Sequence, residues 1–560
     1  MRVRIRRHVL PLCSVIVCVS AACGGSGGAG ALGGGEGSNR GSSSGGSSGG
    51  SSSGSAGGDG GLTPEQGAGA YLGSVTGNPT ALNTFLTQMP KGGDLHHHLS
   101  GAVYAETYLS WAATANDCIE TTTGDYYLSI DSCGYPGDVA VPAPTAALYT
   151  EAVEAMSMLN FVATASESGH DHFFATFDKF GAMSGTANHA ASLADVMTRA
   201  AGENEVYIEL MLTSNSTADD LGTSSWATAH GTATMAASDF DAFRSTLLAS
   251  SSWSTAVSAV TSDIANTESG AKTTLRCSGA TPPAACSVAT RYEQYISRSG
   301  AAPAVFAQMV AAYEAAKTEP RLVALNLVGP EDGATALANY DLQMSMLQYL
   351  NGAYAGQSPL RLSLHAGELA AQYMPSGYTI PAVDHVQKAV EIAGASRIGH
   401  GVDIEQESNA ATVMGELASK KILVEICLSS NAEILLISGT AHPLAQYRSA
   451  GVPVALATDD QAVSRSSLVG EYTRAVIDQN LGYLDLKALS RNSLEYSFLP
   501  GASLFSDFST LTIASACADA TDTTTATAPT AACQTYLGAN PRAQAEWELE
   551  RRYRVFESAY

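Results

Sequence analysis

At 560 residues, with 45% apolar and only 15% charged residues, the chain is long enough for one to four domains and has the apolar content of an ordinary globular protein. Its 29 basic against 53 acidic residues leave a formal charge of −24. That field repels phosphate backbones and anionic lipid, which argues against a nucleic-acid partner while leaving a small neutral substrate open.

The chain begins with Arg2, Arg4, Arg6 and Arg7, followed by the apolar stretch Val9 to Val19 and then Ser20-Ala21-Ala22-Cys23. This resembles a lipoprotein-type signal peptide over residues 1–23, with Cys23 as the lipidated residue. Ser20 departs from the Leu usual three positions before that cysteine, and plain secretion with cleavage near Ala22 is the alternative. Residues 24–61 are almost all Gly and Ser. Such a linker cannot pack a core; about 38 residues of flexible coil reach roughly 34 Å, a suitable tether for a catalytic domain over 62–560. Gly24 lacks the acidic character expected for inner-membrane retention, so the expected location is an outer membrane or cell surface, otherwise secreted or periplasmic. No later stretch has eighteen uninterrupted apolar residues, so membrane contact is expected only through the anchor.

Beyond residue 62, apolar runs suited to strands recur at Gly93–Leu99, Glu205–Leu212, Arg291–Ile296, Leu322–Val328, Leu360–His365, Arg397–His400, Ile422–Leu428 and Val452–Ala457. Ala-rich helical patterns separate several of them, as at Ala304–Ala316, Tyr340–Leu350 and Ala382–Ala393. Eight strands alternating with helices predict a (β/α)8 TIM barrel of the α/β class with disulfide-bearing insertions; a doubly wound open sheet would give a similar pattern. The insertions are expected at Thr114–Thr145 and Ser214–Val288, with a further irregular excursion at Ser506–Gly538. Sequence-local cysteine pairs bracket loops in each: Cys118 with Cys133, Cys277 with Cys286, and Cys517 with Cys533. Disulfides fit an oxidising compartment. Cys427 lies in an apolar run and reads as a buried free thiol, and without a C-x-x-C pair a thiolate zinc site is not expected.

Four clusters carry chemistry. In Asp94-Leu95-His96-His97-His98-Leu99, strand alternation sends His96 and His98 to one face and His97 to the other. Leu364-His365-Ala366-Gly367-Glu368 adds a third imidazole after a strand, a small residue that permits close substrate approach, and a carboxylate whose pKa would rise beside an apolar pocket. Arg397-Ile398-Gly399-His400-Gly401 closes another strand on a histidine. Val454-Ala455-Leu456-Ala457-Thr458-Asp459-Asp460 ends a strand on two carboxylates, one able to face a metal and the other a substrate. A further His170-Asp171-His172, among aromatics in a helical context, reads as packing or pocket wall.

Met89–Leu99, Leu364–Glu368, Arg397–Gly401 and Thr458–Asp460, in that order, resemble the adenosine deaminase family, specifically its extracellular growth-factor-like branch. Leu327-Val328-Gly329-Pro330-Glu331-Asp332 looks like the family's purine-contacting loop, and Asn492–Phe498 resembles the segment after the last barrel strand. The resemblance implies one Zn2+ per chain, bound by His96, His98, His365 and Asp459, with room left at the metal for a water. It implies that Glu368 protonates purine N1, that His400 and Asp459 orient the attacking water, and that Asp460 and the Gly329 backbone hold N7 and N3. The partner implied is a purine nucleoside, deaminated at C6. Ser100 stands where many relatives have an Asp associated with the ribose hydroxyl, which brings 2′-deoxyadenosine or a modified nucleoside within reach. A different amidohydrolase on the same barrel and a non-catalytic surface binding protein are the competing readings.

Overall fold

The computed structural model describes residues 62–121, 128–134, 136–212, 215–519 and 528–560. The expected signal peptide, with Cys23, and the Gly/Ser-rich stretch lie outside the described residues. All eight expected runs form strands: β1 Gly93–His98, β2 Tyr207–Leu212, β3 Ala289–Ser297, β4 Leu322–Val328, β5 Arg361–Ala366, β6 Arg397–His400, β7 Leu423–Ile426 and β8 Val454–Leu456. β1, β2, β4 and β6 to β8 are buried along their whole length, as parallel strands covered on both faces must be.

The strands pair in parallel in strict sequence order. The circuit is completed by a bridge between His97 and Asp459. There the Asp459 N–H donates to the His96 carbonyl at 2.9 Å and the His98 N–H to the Asp459 carbonyl at 3.2 Å. Sequential order with closure is a (β/α)8 barrel and removes the open doubly wound alternative, whose strand order must reverse. One hydrophobic cluster extends from Ala68 and Leu72 to Tyr553 and Phe556, so the terminal helices share the core of the barrel.

The insertions are more regular than their composition implied. In the first, Asp117–Glu120 lies between Ser129–Ser132 and Asp138–Ala140 in a small antiparallel sheet joined by Cys118–Cys133. The second is helical, with Ser216–His230, Phe240–Ala249 and Trp253–Thr274 ahead of the Cys277–Cys286 disulfide. Buried Trp226, Phe243, Trp253 and Ile264 show why: these spaced apolar residues face the barrel helices. The third holds a short hairpin and the helix Ala531–Ala539, linked through Cys517–Cys533. Cys427 is buried and free.

The continuous helix expected over Ala382–Ala393 is interrupted. Asp384 takes a left-handed conformation (φ 45°), with its carboxylate accepting from the Ser408 backbone N–H at 2.8 Å, and a π turn ends the segment at Ala389–Ala393. A tertiary hydrogen bond overrides local helical propensity here.

Inside the barrel a polar layer replaces the usual aliphatic one. Arg397 of β6 is buried with its guanidinium on three carboxylates: Glu209 of β2 at 2.5 Å, Glu293 of β3 at 2.8 Å and Glu425 of β7 at 2.5 Å. Phe498 closes the layer from the N-terminal mouth. Its ring centroid lies 3.7 Å from the guanidinium carbon and its N–H donates to Glu209 at 2.7 Å. Removing the only cation from this set leaves buried carboxylates facing one another. Arg397→Leu is therefore expected to destabilise the fold by about 3–5 kcal/mol, and Arg397→Lys by less, since a single ammonium keeps the charge but not the fork. Denaturant midpoints check this, and a wild-type midpoint for Arg397→Leu would show that the carboxylates need no counter-charge.

Candidate functional site

At the C-terminal mouth of the barrel, β1, β5 and the turn after β8 present His96, His98, His365 and Asp459, all buried, with one ligand-type atom from each within 4.8 Å of the others. The Nε2 atoms of His96 and His98 each lie 3.1 Å from His365 Nε2. Asp459 Oδ1 is 3.3 Å from His98 Nε2 and 3.8 Å from His96 Nε2. Nitrogens bound at 2.0–2.1 Å around a tetrahedral ion stand about 3.3 Å apart, close to these separations.

The ring orientations fit the same purpose. His365 Nδ1 donates to Asn326 Oδ1 at 2.7 Å, and His96 Nδ1 donates to Glu425 Oε2 at 2.8 Å. Each contact leaves the Nε2 lone pair directed at the shared centre. Burial, reinforced by the neighbouring imidazoles, pushes His98 and His365 well below the usual histidine pKa, so both rings are neutral. Gly399 makes room for this packing: a Cβ there would sit 2.6 Å from His96 Cε1. His97 points away and bonds Asp94 Oδ2 at 2.9 Å and Thr458 Oγ1 at 3.0 Å.

A second grouping, His96, His400, Cys427 and Asp459, also falls within metal-ligand range. It is the poorer set, because burial and the Asp459 charge push the Cys427 thiol well above its usual pKa and away from the thiolate a metal requires.

Beside the four-residue centre lies a cavity of about 260 Å³. Its polar end carries His98, His365, Glu368, Asp459 and Asp460, and its apolar wall carries Phe173, Phe174, Phe177, Tyr295, Val328 and Pro330. Gly329 and Ser100 also line it. Burial, then the negative charges of Asp459 and Glu331, push the Glu368 carboxyl well above the usual range, the direction expected for a carboxyl beside an apolar pocket. Asp460 is raised well above its usual value by burial and by Asp459, and its Oδ1 has no hydrogen-bond partner. His400 Nε2 lies 3.8 Å from Glu368 Oε2 and 3.9 Å from Asp459 Oδ2.

Gly367 serves the protein rather than substrate approach. Its φ is +81°, and a Cβ there would lie 2.4 Å from Asp403 Oδ1 and 2.7 Å from Val386. The turn bearing Glu368 is held by Glu331, whose Oε2 accepts from the Gly367 N–H at 3.0 Å and from His385 Nδ1 at 2.8 Å. His170 contacts Asp332 at 3.1 Å, and His172 bonds Glu167 and the Ser157 carbonyl, so this pair is structural.

Sequence reasoning missed Glu425 and Asn326, and read the aromatic segment around His170 and His172 only as packing or pocket wall, without naming the cavity it lines. Glu425 had a signal, being a lone carboxylate in a fully apolar strand. The wall residues Phe173, Phe174 and Phe177 lie on the helix Gly169–Phe180, capped by Ser168, which accepts from the Asp171 N–H at 3.0 Å. Nothing local in that pattern says which cavity the helix covers.

The family model described as adenosine deaminase matches residues 255–504. An adenosine deaminase of Serratia proteamaculans is 31% identical over 180 residues, covering 31% of this chain and 49% of that protein. One from Pseudoalteromonas translucida is 32% identical over 179 residues, covering 32% and 47%. The chain thus spans about half the length of the curated relatives it matches. Among solved structures, an adenine deaminase from Arthrobacter aurescens aligns with a TM-score of 0.44 and 16% identity over 73% of this chain and 94% of that one. Over residues 255–504, therefore, the chain is similar to the adenosine deaminase family, and adenosine deaminases are the relatives it resembles in sequence.

Proposed function

We propose that the chain is a zinc-dependent hydrolase that converts adenosine, and 2′-deoxyadenosine, to inosine and ammonia. The observation that carries this reading is the convergence of three imidazole Nε2 atoms and one carboxylate beside the buried Glu368, whose carboxyl burial pushes well above the usual pKa range. Three nitrogens and one oxygen suit Zn2+, which when bound lowers the pKa of a coordinated water to about 7 and so supplies the nucleophile.

The chain's own groups do the rest. Glu368, kept neutral by burial, donates its proton to purine N1, which makes C6 electrophilic. Asp460, also kept neutral, donates from its carboxyl to N7, an acceptor, and the Gly329 N–H donates to N3. Those contacts fix the ring for attack at C6. The wall of Phe173, Phe174 and Phe177 excludes bulk water from the reacting face. Water adds at C6 and ammonia leaves, giving the 6-oxo purine.

Ser100 favours a second substrate. A neutral hydroxyl in place of a carboxylate discriminates weakly at the sugar, which suits the 2′-deoxynucleoside. The cavity lining holds no Lys or Arg to pair with a 5′-phosphate, which favours nucleosides over nucleotides. The extracellular growth-factor-like branch belongs to the same proposal, as does export with anchoring through Cys23. Three disulfides support an oxidising compartment. Among the described residues no helix is long and apolar enough to cross a membrane.

Metal analysis is expected to return one zinc per chain, and incubation with adenosine to release stoichiometric ammonia, with AMP turned over far more slowly. Turnover of AMP at the adenosine rate, or of neither, would reject the substrate assignment. Glu368→Gln is expected to keep zinc and lose about 10²- to 10⁴-fold in kcat; full activity would remove Glu368 from the mechanism. Glu425→Gln, which weakens the hold on His96, is expected to lower zinc affinity about 10- to 100-fold in a chelator competition.

A further inference from the structure

His400 is usable either as a proton acceptor or as a proton donor toward the cavity, and which one holds depends on where its single proton sits. The answer is set outside the site. The helix Leu444–Ser449 begins with a backbone N–H that has no intrahelical partner, and that of Leu444 donates to His442 Nδ1 at 3.2 Å. A backbone N–H cannot accept, so His442 Nδ1 is the acceptor and its proton is on Nε2. His442 Nε2 lies 3.2 Å from Asn431 Oδ1, which accepts that proton's hydrogen bond. The amide is thereby oriented with Nδ2 toward His400 Nδ1, 3.0 Å away. His400 Nδ1 must accept, and its Nε2 carries the hydrogen. All three side chains are fully buried, so no water competes for these contacts. His442 is held neutral, its pKa pulled down to about 4 by burial.

We propose that His442 and Asn431 are positioning residues that lock His400 as its Nε2–H tautomer, making it a fixed donor into the cavity and excluding it as a metal ligand. The donor end fits this assignment. His400 Nε2 has no hydrogen-bond partner among the described residues and faces the gap between Glu368 and Asp459. An oxygen entering that gap would receive the hydrogen bond, so His400 orients the incoming water through the water's lone pair. The backbone at His400 is left-handed (φ 69°), a conformation that a side chain with several acceptable orientations would not need. In its catalytic consequence the proposal rests on the deaminase reading; in its tautomer it does not.

Two measurements separate the two levels. Nitrogen-15 NMR of histidine-labelled protein, with the His400 signals assigned by their loss in His400→Gln, is expected to show the proton on Nε2 in the wild type. Asn431→Asp replaces the amide with a group of nearly the same shape that only accepts, so the proton should move to Nδ1. In the same variant kcat is expected to fall by about 10²- to 10⁴-fold, the scale of a wrong-tautomer histidine in another hydrolase, with KM and bound zinc unchanged. His442→Phe should lower kcat at least tenfold, and His442→Gln, whose amide still donates to Asn431, should restore most of the loss. A wild-type His400 protonated on Nδ1 overturns the proposal, as does an Asn431→Asp enzyme with wild-type kcat. If no nucleoside is turned over at all, the deaminase reading falls and the wild-type NMR result still decides the tautomer. That arm needs no variant beyond the assignment, so misfolding of a substituted chain leaves it intact.

Discussion

The barrel closes on two backbone hydrogen bonds, and both involve residues whose side chains form the candidate metal centre. Asp459 donates to the His96 carbonyl and accepts from the His98 N–H, while the three side chains turn inward toward His365. Closing the sheet and assembling the centre are therefore one geometric event. The left-handed backbone of Asp459 (φ 60°) follows from it, because the residue must finish the β8 turn, pair with β1 and aim its carboxylate at the imidazoles. Strain of this kind persists only where the surroundings over-determine it. Here a barrel seam on either side does so.

Beneath the centre, the Arg397 layer couples stability to site geometry. Glu425 bonds Arg397 and Ser363 through Oε1, and His96 through Oε2. A buried carboxylate shared between a guanidinium and an imidazole has little freedom to rotate, so the His96 ring inherits the rigidity of the barrel interior. The carboxylate count also matters. Glu209, Glu293 and Glu425 surround one buried guanidinium, with Asp459 among the imidazoles at the mouth, and a divalent cation there would bring positive charge to the same low-dielectric interior. The barrel's polar interior is thus better matched to a metal-loaded mouth than to an empty one.

Much of this was legible in the sequence, and the parts that were not share a cause. All eight strands and the four proposed ligands could be read because strand runs are short, apolar and punctuated, and because strand ends alternate predictably. Glu425 and Arg397 could have been read as well, since a charged residue inside an otherwise apolar buried strand breaks a local rule and such breaks mark function. Asn326, Asn431 and His442 could not. Their roles depend on which distant atom each amide or ring faces, and an Asn at a strand centre or a His before a Pro looks the same whether or not it supports another residue. The break at Asp384 was hidden for a similar reason, its cause being a carboxylate contact to Ser408, 24 positions further along the chain. The glycine at 367 was assigned to substrate approach because its tertiary neighbours, Asp403 and Val386, were invisible locally.

The division of the site along the chain bears on what the resemblance can carry. Residues 255–504, the part matched by the family model, supply His365, Glu368, His400, Asp459 and Asp460, together with Gly329 and the positioning pair Asn431 and His442. In the proposed reaction these are the groups that act on the purine ring. The cavity's other wall comes from outside that segment: Ser100, next to the β1 ligands, and Phe173, Phe174 and Phe177 on a helix reached through the disulfide-bearing insertion. In the proposed reaction the groups that hold the purine ring and those at the sugar thus come from different stretches of sequence, while the metal centre draws on both, through His96 and His98 as well as His365 and Asp459. The segment matched by the family model carries the ring-facing groups, whereas the proposed sugar end is lined by residues outside it, with a hydroxyl at position 100 and an aromatic wall.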